Sequence, residues 1–351
     1  MSNWQKALKQ LPGSVDFKRD AYASENCLYT PSPSMNYIFA NKAHGIPKGT
    51  GVLFYGRNKS GKSLMIQAAI AEMHRRDPEG IAIIYNTEMR GFLQNGSFMG
   101  VDPNRIVIYD TNKPEEIFDT FERDIGALIA DGMPLRIVAI DSFNSIGGTK
   151  SLVEDRSVND HLMGDKAITI QRGLEKIVPI IKRNNLVFFG TAQMRDNFDA
   201  GQYGPKEKAG TTWAVKHTFE YMVSVRKATA ADDKEDLAGN KFEDSHLKDI
   251  RGNKDITGHK IILKMEESSV GTPGRSALVT LDYERGIINQ HEEIFELSKN
   301  LGIIDNIGAG SYGLYGEKIR GANNVATKIK ESSELQQKLL ADIKALDAKA
   351  V

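Results

Sequence analysis

Short apolar runs alternate with helix-period segments from residue 34 to residue 285. The apolar runs are rich in Val, Ile and Phe, which is typical of strands that are buried on both faces of a sheet. The predicted strands are Gly51–Tyr55, Ile81–Asn86, Ile106–Tyr109, Arg136–Ile140, Leu186–Thr191, Tyr221–Arg226, Lys260–Met265 and Ala277–Asp282. Strands that alternate with helices favour a mostly parallel sheet covered by helices, so the pattern predicts an α/β fold.

Three segments between these strands carry apolar residues at helical spacing, and we predict helices over Lys62–Arg76, Glu115–Ala130 and Ala167–Arg183. The segment from Ala228 to Gly258 is charged and punctuated by Gly, which indicates a solvated hairpin or loop insertion in the core.

The two ends of the chain differ from this core. Residues 1–33 are polar, with a short helical pattern around Trp4 that ends at Pro12-Gly13, and we interpret them as an arm outside the core. Residues 286–351 form a predicted small α-rich domain. Its last helix is predicted over Ser333–Ala348, with apolar residues on one face. The α/β core would then occupy residues 34–285.

Composition narrows the class of protein. The 351 residues include 46 Lys and Arg and 46 Asp and Glu, so the net charge is about zero and a histone-like positive surface is excluded. No apolar run approaches 18 residues, which argues against a membrane span. The start has no apolar signal segment, and the single Cys27 allows no internal disulfide, so we expect a cytoplasmic protein.

The strongest motif follows the first predicted core strand and precedes the first core helix. It has the form G-x-x-x-x-G-K-[ST], and its residues are Gly56, Arg57, Asn58, Lys59, Ser60, Gly61, Lys62 and Ser63. Glycines let successive backbone N–H groups and the helix N-terminus face anionic phosphates. Lys62 would reach the β- and γ-phosphates, and the Ser63 hydroxyl would bind Mg²⁺. The motif therefore predicts a nucleotide site.

Three polar side chains end other predicted strands. Asp141 follows a buried strand and is the candidate for holding the magnesium water shell. Glu88 follows the predicted strand Ile81–Asn86 and could deprotonate the attacking water. Gln193 precedes a loop, residues 194–210, and could contact the γ-phosphate and convey its presence to that loop. Parallel strands bring their carboxyl ends to one edge, so these side chains should meet there.

The chain resembles the RecA family of homologous recombinases, including its phage-encoded UvsX branch, from about residue 31 to residue 346. The resemblance rests on the motif from Gly56 to Ser63, called the phosphate loop below, and on the segment that leads into it. Glu88 followed by Gly100-Val101-Asp102-Pro103 is similar to the family, and so is Ile140-Asp141-Ser142. The resemblance also rests on the terminal segment Gly310-Ser311-Tyr312-Gly313-Leu314-Tyr315-Gly316-Glu317-Lys318-Ile319. Other P-loop ATPases share the core but not that terminal segment.

The resemblance implies a RecA-like P-loop ATPase core over residues 34–285 and an N-terminal oligomerisation arm over residues 1–33. It also implies a protein that forms helical filaments on single-stranded DNA, pairs them with duplex DNA and exchanges strands. ATP and Mg²⁺ would be bound by the phosphate loop and Asp141, with Glu88 as general base and Gln193 as γ-phosphate sensor. Two DNA-facing loops are implied near 151–165 and 194–211. The second would offer DNA the side chains of Arg195, Tyr203, Lys206 and Lys208.

Some positions depart from the family. An aromatic that would stack on adenine is replaced by Asn95, and nearby Phe92 is the alternative. The basic pair that would reach a neighbouring subunit's nucleotide is replaced by Glu267 and Ser269, with Lys216 and Arg275 as nearby basic candidates.

Two other functions stay open at this point. One is a hexameric ring ATPase with the same core, such as a helicase. The other is a regulatory module that binds nucleotide and a partner protein with little turnover. Loader and single-strand-binding proteins are further expected partners of a recombinase, and mixed RecA and UvsX features suggest a phage origin.

Overall fold

The computed structural model describes residues 23–40, 44–92, 99–148, 164–196, 207–228, 258–282 and 285–350. The strands within these residues are β1 Cys27–Leu28, β2 Ile46–Pro47, β3 Gly51–Gly56, β4 Ile81–Asn86, β5 Ile106–Tyr109, β6 Leu135–Asp141, β7 Val187–Asp196, β8 Glu207–Ala209, β9 Tyr221–Lys227, β10 Gly258–Ser268, β11 Ser276–Asp282, β12 Gly286–Ile288, β13 Asp305–Gly308, β14 Ser311–Leu314 and β15 Glu317–Arg320.

The α-helices are α1 Pro33–Tyr37, α2 Lys62–Arg76, α3 Pro114–Thr120, α4 Gly126–Ala130, α5 Asp165–Arg183, α6 Trp213–Thr218, α7 Gln290–Asn300, α8 Ala322–Glu331 and α9 Ser333–Ala350. One π-helical turn, Phe121–Ile125, joins α3 to α4. Short 3₁₀ turns lie at Ser24–Asn26 and Pro103–Arg105. Among the described residues, no helix has both the length and the apolar composition that crossing a bilayer requires.

The large sheet is mostly parallel, and the predicted α/β fold is confirmed. Its strand order is β12-β11-β10-β9-β3-β7-β6-β4-β5, with β8 paired to β7 beside this path. The six strands from β9 to β5 run parallel, and β10, β11 and β12 continue the sheet in antiparallel pairs. Because β3, β7, β6 and β4 run parallel, their carboxyl ends lie at one edge of the sheet.

Alternate residues of the central strands feed two hydrophobic layers, one on each face of the sheet. Val52 and Phe54 of β3 pack with the apolar stripe of α2, whereas Leu53 and Tyr55 pack with helices α3 and α5 on the other face. This period of two is the geometry of a strand covered on both sides. The two layers fix the sheet rigidly beneath the edge that carries the polar side chains.

A smaller lobe follows β12 and has its own core. The helices α7, α8 and α9 surround a cluster that includes Phe295, Val325 and Leu339. The lobe is α-rich, as predicted, but it also contains a three-stranded antiparallel sheet, β13-β14-β15, that the pattern did not predict. Gly286 and Ile288 pair with β11, so the large sheet extends a few residues beyond the predicted boundary at residue 285.

The lobe is joined to the core by a buried carboxyl group. The Glu293 side chain, on the first turn of α7, accepts hydrogen bonds from the Ser32 hydroxyl (2.6 Å) and from the Ser34 backbone N–H (3.0 Å). Ser32 is also the N-cap of α1. Burial raises the pKa of Glu293 to about 8. The carboxyl group is therefore largely protonated at neutral pH, and no charge is buried at this junction.

Candidate nucleotide site at the carboxyl edge of the sheet

Strand register brings the site residues together. In the β3–β7 pair, Gly56 lies opposite Gln193, and in the β4–β6 pair, Asn86 lies opposite Asp141. Glu88 follows Asn86 by two residues. Since β3, β7, β6 and β4 are consecutive neighbours in the sheet, the predicted residues meet at one edge. The structure thus brings Lys62, Ser63, Glu88, Asp141 and Gln193 together at one edge of the sheet, and their roles stay predictions.

The phosphate loop between β3 and α2 depends on two glycines. A Cβ on Gly56 would lie 2.1 Å from the Val225 carbonyl oxygen, so only glycine fits against β9. Gly61 has a φ of 102°, in the left-handed region that favours glycine, and it is the N-cap of α2. These constraints turn the chain sharply into the helix and leave the first N–H groups of α2 pointing out of the helix end.

Lys62 lies in this loop without an acidic partner at ion-pair distance among the described residues. Its ammonium group donates hydrogen bonds to the carbonyl oxygens of Gly56 (3.1 Å) and Arg57 (2.9 Å). Burial lowers the pKa of Lys62, and the charges of Asp141 and Glu88 partly oppose that shift. A partly buried cation cradled by carbonyls beside a helix N-terminus suits an anionic ligand.

Asp141 ends β6 and is held by two hydroxyl groups. The Ser63 hydroxyl donates to its Oδ2 at 2.6 Å, and the Thr191 hydroxyl donates to its Oδ1. Burial raises the pKa of Asp141, and the bonds from Ser63 and Thr191 act in the opposite direction. Thr191 belongs to no sequence motif, and its only signal in the sequence is its place at the end of the predicted strand Leu186–Thr191.

Glu88 is held by three neighbours. The Ser142 hydroxyl donates to Glu88 Oε1 at 2.9 Å, and the side-chain amide of Gln193 lies 3.5 Å from the same oxygen. The guanidinium of Arg90 lies 3.1 Å from the other oxygen, Oε2. Arg90 was not singled out from the sequence, and Ser142 was named there only as part of Ile140-Asp141-Ser142, with no contact to Glu88 expected. The sequence predicts only that Glu88 and Gln193 share a sheet edge, and the structure adds the contact between their side chains.

A cavity of about 370 Å³ opens over these groups. Its lining includes the loop residues from Asn58 to Ser63, together with Glu88, Asp141 and Phe92. Phe92 is nearly buried, and its carbonyl oxygen accepts a hydrogen bond from the Gln67 side chain. The cavity falls within the size range of small-molecule sites, and it brings the predicted phosphate loop and the aromatic candidate for the base into one space.

The donor set fits Mg²⁺ held together with phosphates. Ser63 and Asp141 offer a hydroxyl and a carboxylate already in contact, and Mg²⁺ bound with phosphates takes one or two such protein ligands plus water. In the described part of the chain no group of three or more His, Cys, Asp and Glu side chains could hold a metal alone. The buried Ser60 hydroxyl has no hydrogen-bond partner among the described residues, which leaves a polar atom in the loop for a ligand.

The second predicted DNA loop has a defined stem. Strands β7 and β8 pair antiparallel from Met194–Ala209 to Asp196–Glu207, and the Gly210 N–H donates to the Gln193 carbonyl oxygen at 2.7 Å. Arg195 is exposed on this stem. Tyr203 and Lys206, the Lys208 side chain and most of the first loop, residues 151–165, lie outside the described residues. Asn95 lies outside them as well.

The basic residues expected to reach a neighbouring subunit contact aromatic rings of their own chain. The Arg275 guanidinium lies 4.2 Å from the Tyr37 ring centroid and donates to the Tyr37 carbonyl oxygen at 3.1 Å. The Lys216 ammonium lies 5.9 Å from the Trp213 ring centroid. Glu267 and Ser269, which the resemblance places at the family's basic pair, lie near the end of β10 and just beyond it. A contact between one of these basic residues and the nucleotide of a neighbouring subunit stays a prediction.

Comparison with known proteins decides the family. The RecA N-terminal domain family matches residues 20–249, about two thirds of the chain. The chain belongs to this family. Among similar proteins, Protein RecA of Mesomycoplasma hyopneumoniae is 24% identical over 306 residues, covering 87% of this chain and 81% of that protein. Protein RecA of Thermotoga maritima is 22% identical over 341 residues, covering 94% and 87%. Protein RecA of Chloroherpeton thalassium is 24% identical, covering 93% and 82%.

Proposed function

We propose that this RecA-family protein is a DNA-dependent ATPase that forms helical filaments on single-stranded DNA and catalyses homologous pairing and strand exchange in recombination and repair. One observation carries the proposal. Gln193 contacts Glu88 through its side chain, while its backbone begins the stem of the second predicted DNA loop. A single residue therefore contacts Glu88, which lines the nucleotide cavity, and also begins the element expected to bind DNA.

In the nucleotide cavity, Lys62 and the N–H groups of the phosphate loop would bind the phosphates of ATP. Ser63 and Asp141 would hold Mg²⁺, which neutralises charge on the phosphates. Glu88 would take a proton from the attacking water, because it is held in place by Ser142 and lies at the same sheet edge as the loop. Phe92 would face the adenine ring.

The state of the nucleotide would reach the DNA loop through Gln193. When the γ-phosphate is present, the Gln193 amide can leave Glu88 for a phosphate oxygen, and its backbone pulls on the β7–β8 stem. When the γ-phosphate is lost, the Gln193 amide returns to Glu88. Binding of ATP thus favours one loop arrangement and hydrolysis releases it, as in other nucleotide switches.

The C-terminal lobe favours a recombinase over a ring ATPase. The Thermotoga maritima relative covers 94% of the chain, so its match cannot leave out the lobe of residues 290–350. DNA contact would come from Arg195, Tyr203, Lys206 and Lys208, since a few basic groups per subunit can line a filament axis even when net charge is zero. The resemblance to phage-encoded UvsX at Glu88 and Gly100–Pro103 leads us to propose the phage-type branch.

The test measures ATP hydrolysis by the wild type, Lys62→Ala and Glu88→Gln, with and without single-stranded DNA, over a salt series. We expect turnover that DNA stimulates and salt suppresses, and both variants should lose it, whereas Glu88→Gln should still bind nucleotide. Filaments and strand exchange would then be examined by electron microscopy and with labelled duplexes. Turnover indifferent to DNA would indicate a ring ATPase, and negligible turnover with DNA present would indicate a regulatory module.

A further inference from the structure

Trp213 is the most exposed of the large hydrophobic side chains in the described part of the chain, with 74% of its surface accessible. It is the first residue of α6, directly after the second predicted DNA loop. Large aromatic side chains usually bury most of their surface, but a single exposed one is common, so the case for a contact site depends on what surrounds Trp213.

Local packing holds Trp213 outward. Val215, on the opposite side of α6, is fully buried, and the Thr212 side chain accepts a hydrogen bond from its N–H at 3.4 Å. Residues four apart lie on the same helix face, and the ring of His217 stacks on the indole with centroids 5.1 Å apart and planes 19° apart. The helix therefore presents two parallel aromatic rings to solvent.

The surroundings of this stacked pair are basic. The Lys216 ammonium lies 5.9 Å from the indole centroid. Burial lowers the pKa of Lys166, and the charge of nearby Arg195 lowers it further. The Lys166 ammonium donates a hydrogen bond to the Asn144 carbonyl oxygen at 2.5 Å. A Cβ on Gly210 would lie 2.6 Å from Arg195 Cγ. Gly210 precedes Trp213 by three residues, a reach of about 10 Å at most. None of these three cations is in an ion pair with a described residue.

We propose that Trp213 is a stacking platform for a base of single-stranded DNA, with Lys216, Arg195 and Lys166 neutralising the adjacent phosphates. The inference rests on the proposed function and assigns a contact outside the two expected DNA loops. Aromatic rings beside cations bind single strands because every base has a π-face and the backbone is anionic. A duplex keeps its bases stacked inside, so the platform favours single-stranded over double-stranded DNA.

The first experiment uses fluorescence. The chain has two tryptophans, so Trp4→Phe leaves Trp213 as the sole indole reporter. Titration with oligo-dT, in the presence of Mg²⁺ and a non-hydrolysable ATP analogue, should quench Trp213 emission and protect it from iodide. An abasic oligonucleotide of the same length carries the same phosphates without base faces, and it should bind by charge alone and leave the emission nearly unchanged.

The second experiment measures affinity by anisotropy of a labelled oligonucleotide. Trp213→Ala should weaken oligo-dT binding by roughly 5- to 150-fold, the range expected for one stacked base, while Trp213→Phe keeps most of the affinity. The two variants should bind the abasic strand equally well. Leu128→Ala removes another exposed apolar side chain, on α4, and should change nothing.

The outcomes separate the inference from the proposed function. If the wild type binds no single-stranded DNA with any nucleotide, the proposed function fails and the platform fails with it. If the wild type binds but Trp213 emission is unchanged, or is quenched equally by the abasic strand, the platform is wrong and the function stands. A change in emission with nucleotide and protein concentration, but without DNA, would place Trp213 between copies of the chain and also overturn the inference.

Discussion

The side-chain oxygen of Asn144 accepts a hydrogen bond of 2.7 Å from the backbone N–H of Gln193. The amide nitrogen of the same side chain donates to the Gly210 carbonyl oxygen, also at 2.7 Å. Gln193 and Gly210 lie side by side at the base of the β7–β8 stem, where the Gly210 N–H donates to the Gln193 carbonyl oxygen. Asn144, three residues after Asp141, therefore fixes both sides of this base to the loop that follows β6.

Replacing Asn144 should uncouple DNA from hydrolysis more than it impairs hydrolysis itself. In Asn144→Ala the stem loses the hydrogen bonds that Gln193 and Gly210 make with the Asn144 side chain, so the position of Gln193 no longer depends on the loop that follows β6. We expect the stimulation of ATP turnover by single-stranded DNA to fall about tenfold, which corresponds to about one hydrogen bond of coupling energy. Turnover without DNA should stay within about twofold of wild type.

The control for Asn144 is its neighbour Ser145, whose hydroxyl makes no hydrogen bond within the described residues. Ser145→Ala should keep normal stimulation. A loss of turnover in Asn144→Ala that is equal with and without DNA would show a merely structural role and contradict the coupling.

The Ser142 hydroxyl should position Glu88 for proton transfer. It donates to Glu88 Oε1 at 2.9 Å, and the Ser142 backbone is itself fixed by two hydrogen bonds with the Thr87 hydroxyl. A hydrogen bond to a charged group contributes about 1.5–3 kcal/mol. Ser142→Ala should therefore lower kcat for ATP hydrolysis by about tenfold or more.

Steady-state kinetics check this prediction through the split between kcat and KM. KM for ATP should stay within about twofold, because Ser142 does not line the phosphate loop. A rise in KM at unchanged kcat would mean that the hydroxyl supports nucleotide binding instead. Glu88→Gln in the same assay gives the kcat that remains without the proposed general base, and the kcat of Ser142→Ala should lie above it.

Glu293 should make the stability of the fold depend on pH. Its pKa is raised from 4.5 when exposed to about 8 in the folded protein, chiefly by burial and to a smaller extent by the charge of Glu292. The folded state therefore holds a proton that the unfolded state releases as pH rises above about 4.5. The free energy of unfolding should fall as pH rises from about 5 to about 8, by a few kcal/mol in total.

Urea unfolding followed by circular dichroism at several pH values measures this fall. Glu293→Gln keeps the acceptor oxygen for Ser32 and Ser34 but cannot ionise, so its stability should vary much less with pH and should exceed that of wild type at pH 9. Glu292→Gln removes a neighbouring charge and should keep most of the fall. Parallel curves for wild type and Glu293→Gln would contradict the assignment.

Local pattern was enough to predict the central sheet. The predicted bounds of Ile81–Asn86, Ile106–Tyr109 and the helix Lys62–Arg76 agree with the structure, because long apolar periodicity and a phosphate loop leave few alternatives. The predicted helix Glu115–Ala130 is interrupted by a π turn at Phe121–Ile125, where the apolar pattern continues without a break and so gives no signal.

Contacts between distant parts of the chain could not be predicted in this way. Ser32 and Glu293 are 261 residues apart in sequence, and neither is unusual in its own segment. The strands of the lobe are only four residues long, and β13 is exposed along its whole length, so no alternation marks it. At the site, the shared sheet edge could be predicted, whereas the hydrogen bonds of Asn144 and of the Ser142 hydroxyl depend on loop geometry that only the folded chain defines.

Two helical glycines should respond to alanine in opposite directions. A Cβ on Gly173, in α5, would lie 2.2–2.5 Å from ring atoms of Phe118, which is 2% exposed. The ring has no room to move between α3 and α5, so Gly173→Ala should destabilise the fold by about 1–3 kcal/mol, as overpacked cores do. At Gly126, the first residue of α4, a Cβ would meet its nearest atoms at 3.6 and 3.7 Å, an ordinary contact.

Gly126 also has helical dihedral angles, with φ −57° and ψ −40°. Gly126→Ala should therefore stabilise the protein by about 0.5–1 kcal/mol, because alanine loses less conformational entropy in a helix. The two variants add the same methyl group, and thermal unfolding compares them directly. If Gly173→Ala also raised the melting temperature, the close approach of α5 to Phe118 would be wrong. Phe118→Leu combined with Gly173→Ala should recover part of the loss, since it removes the ring that the new methyl group meets.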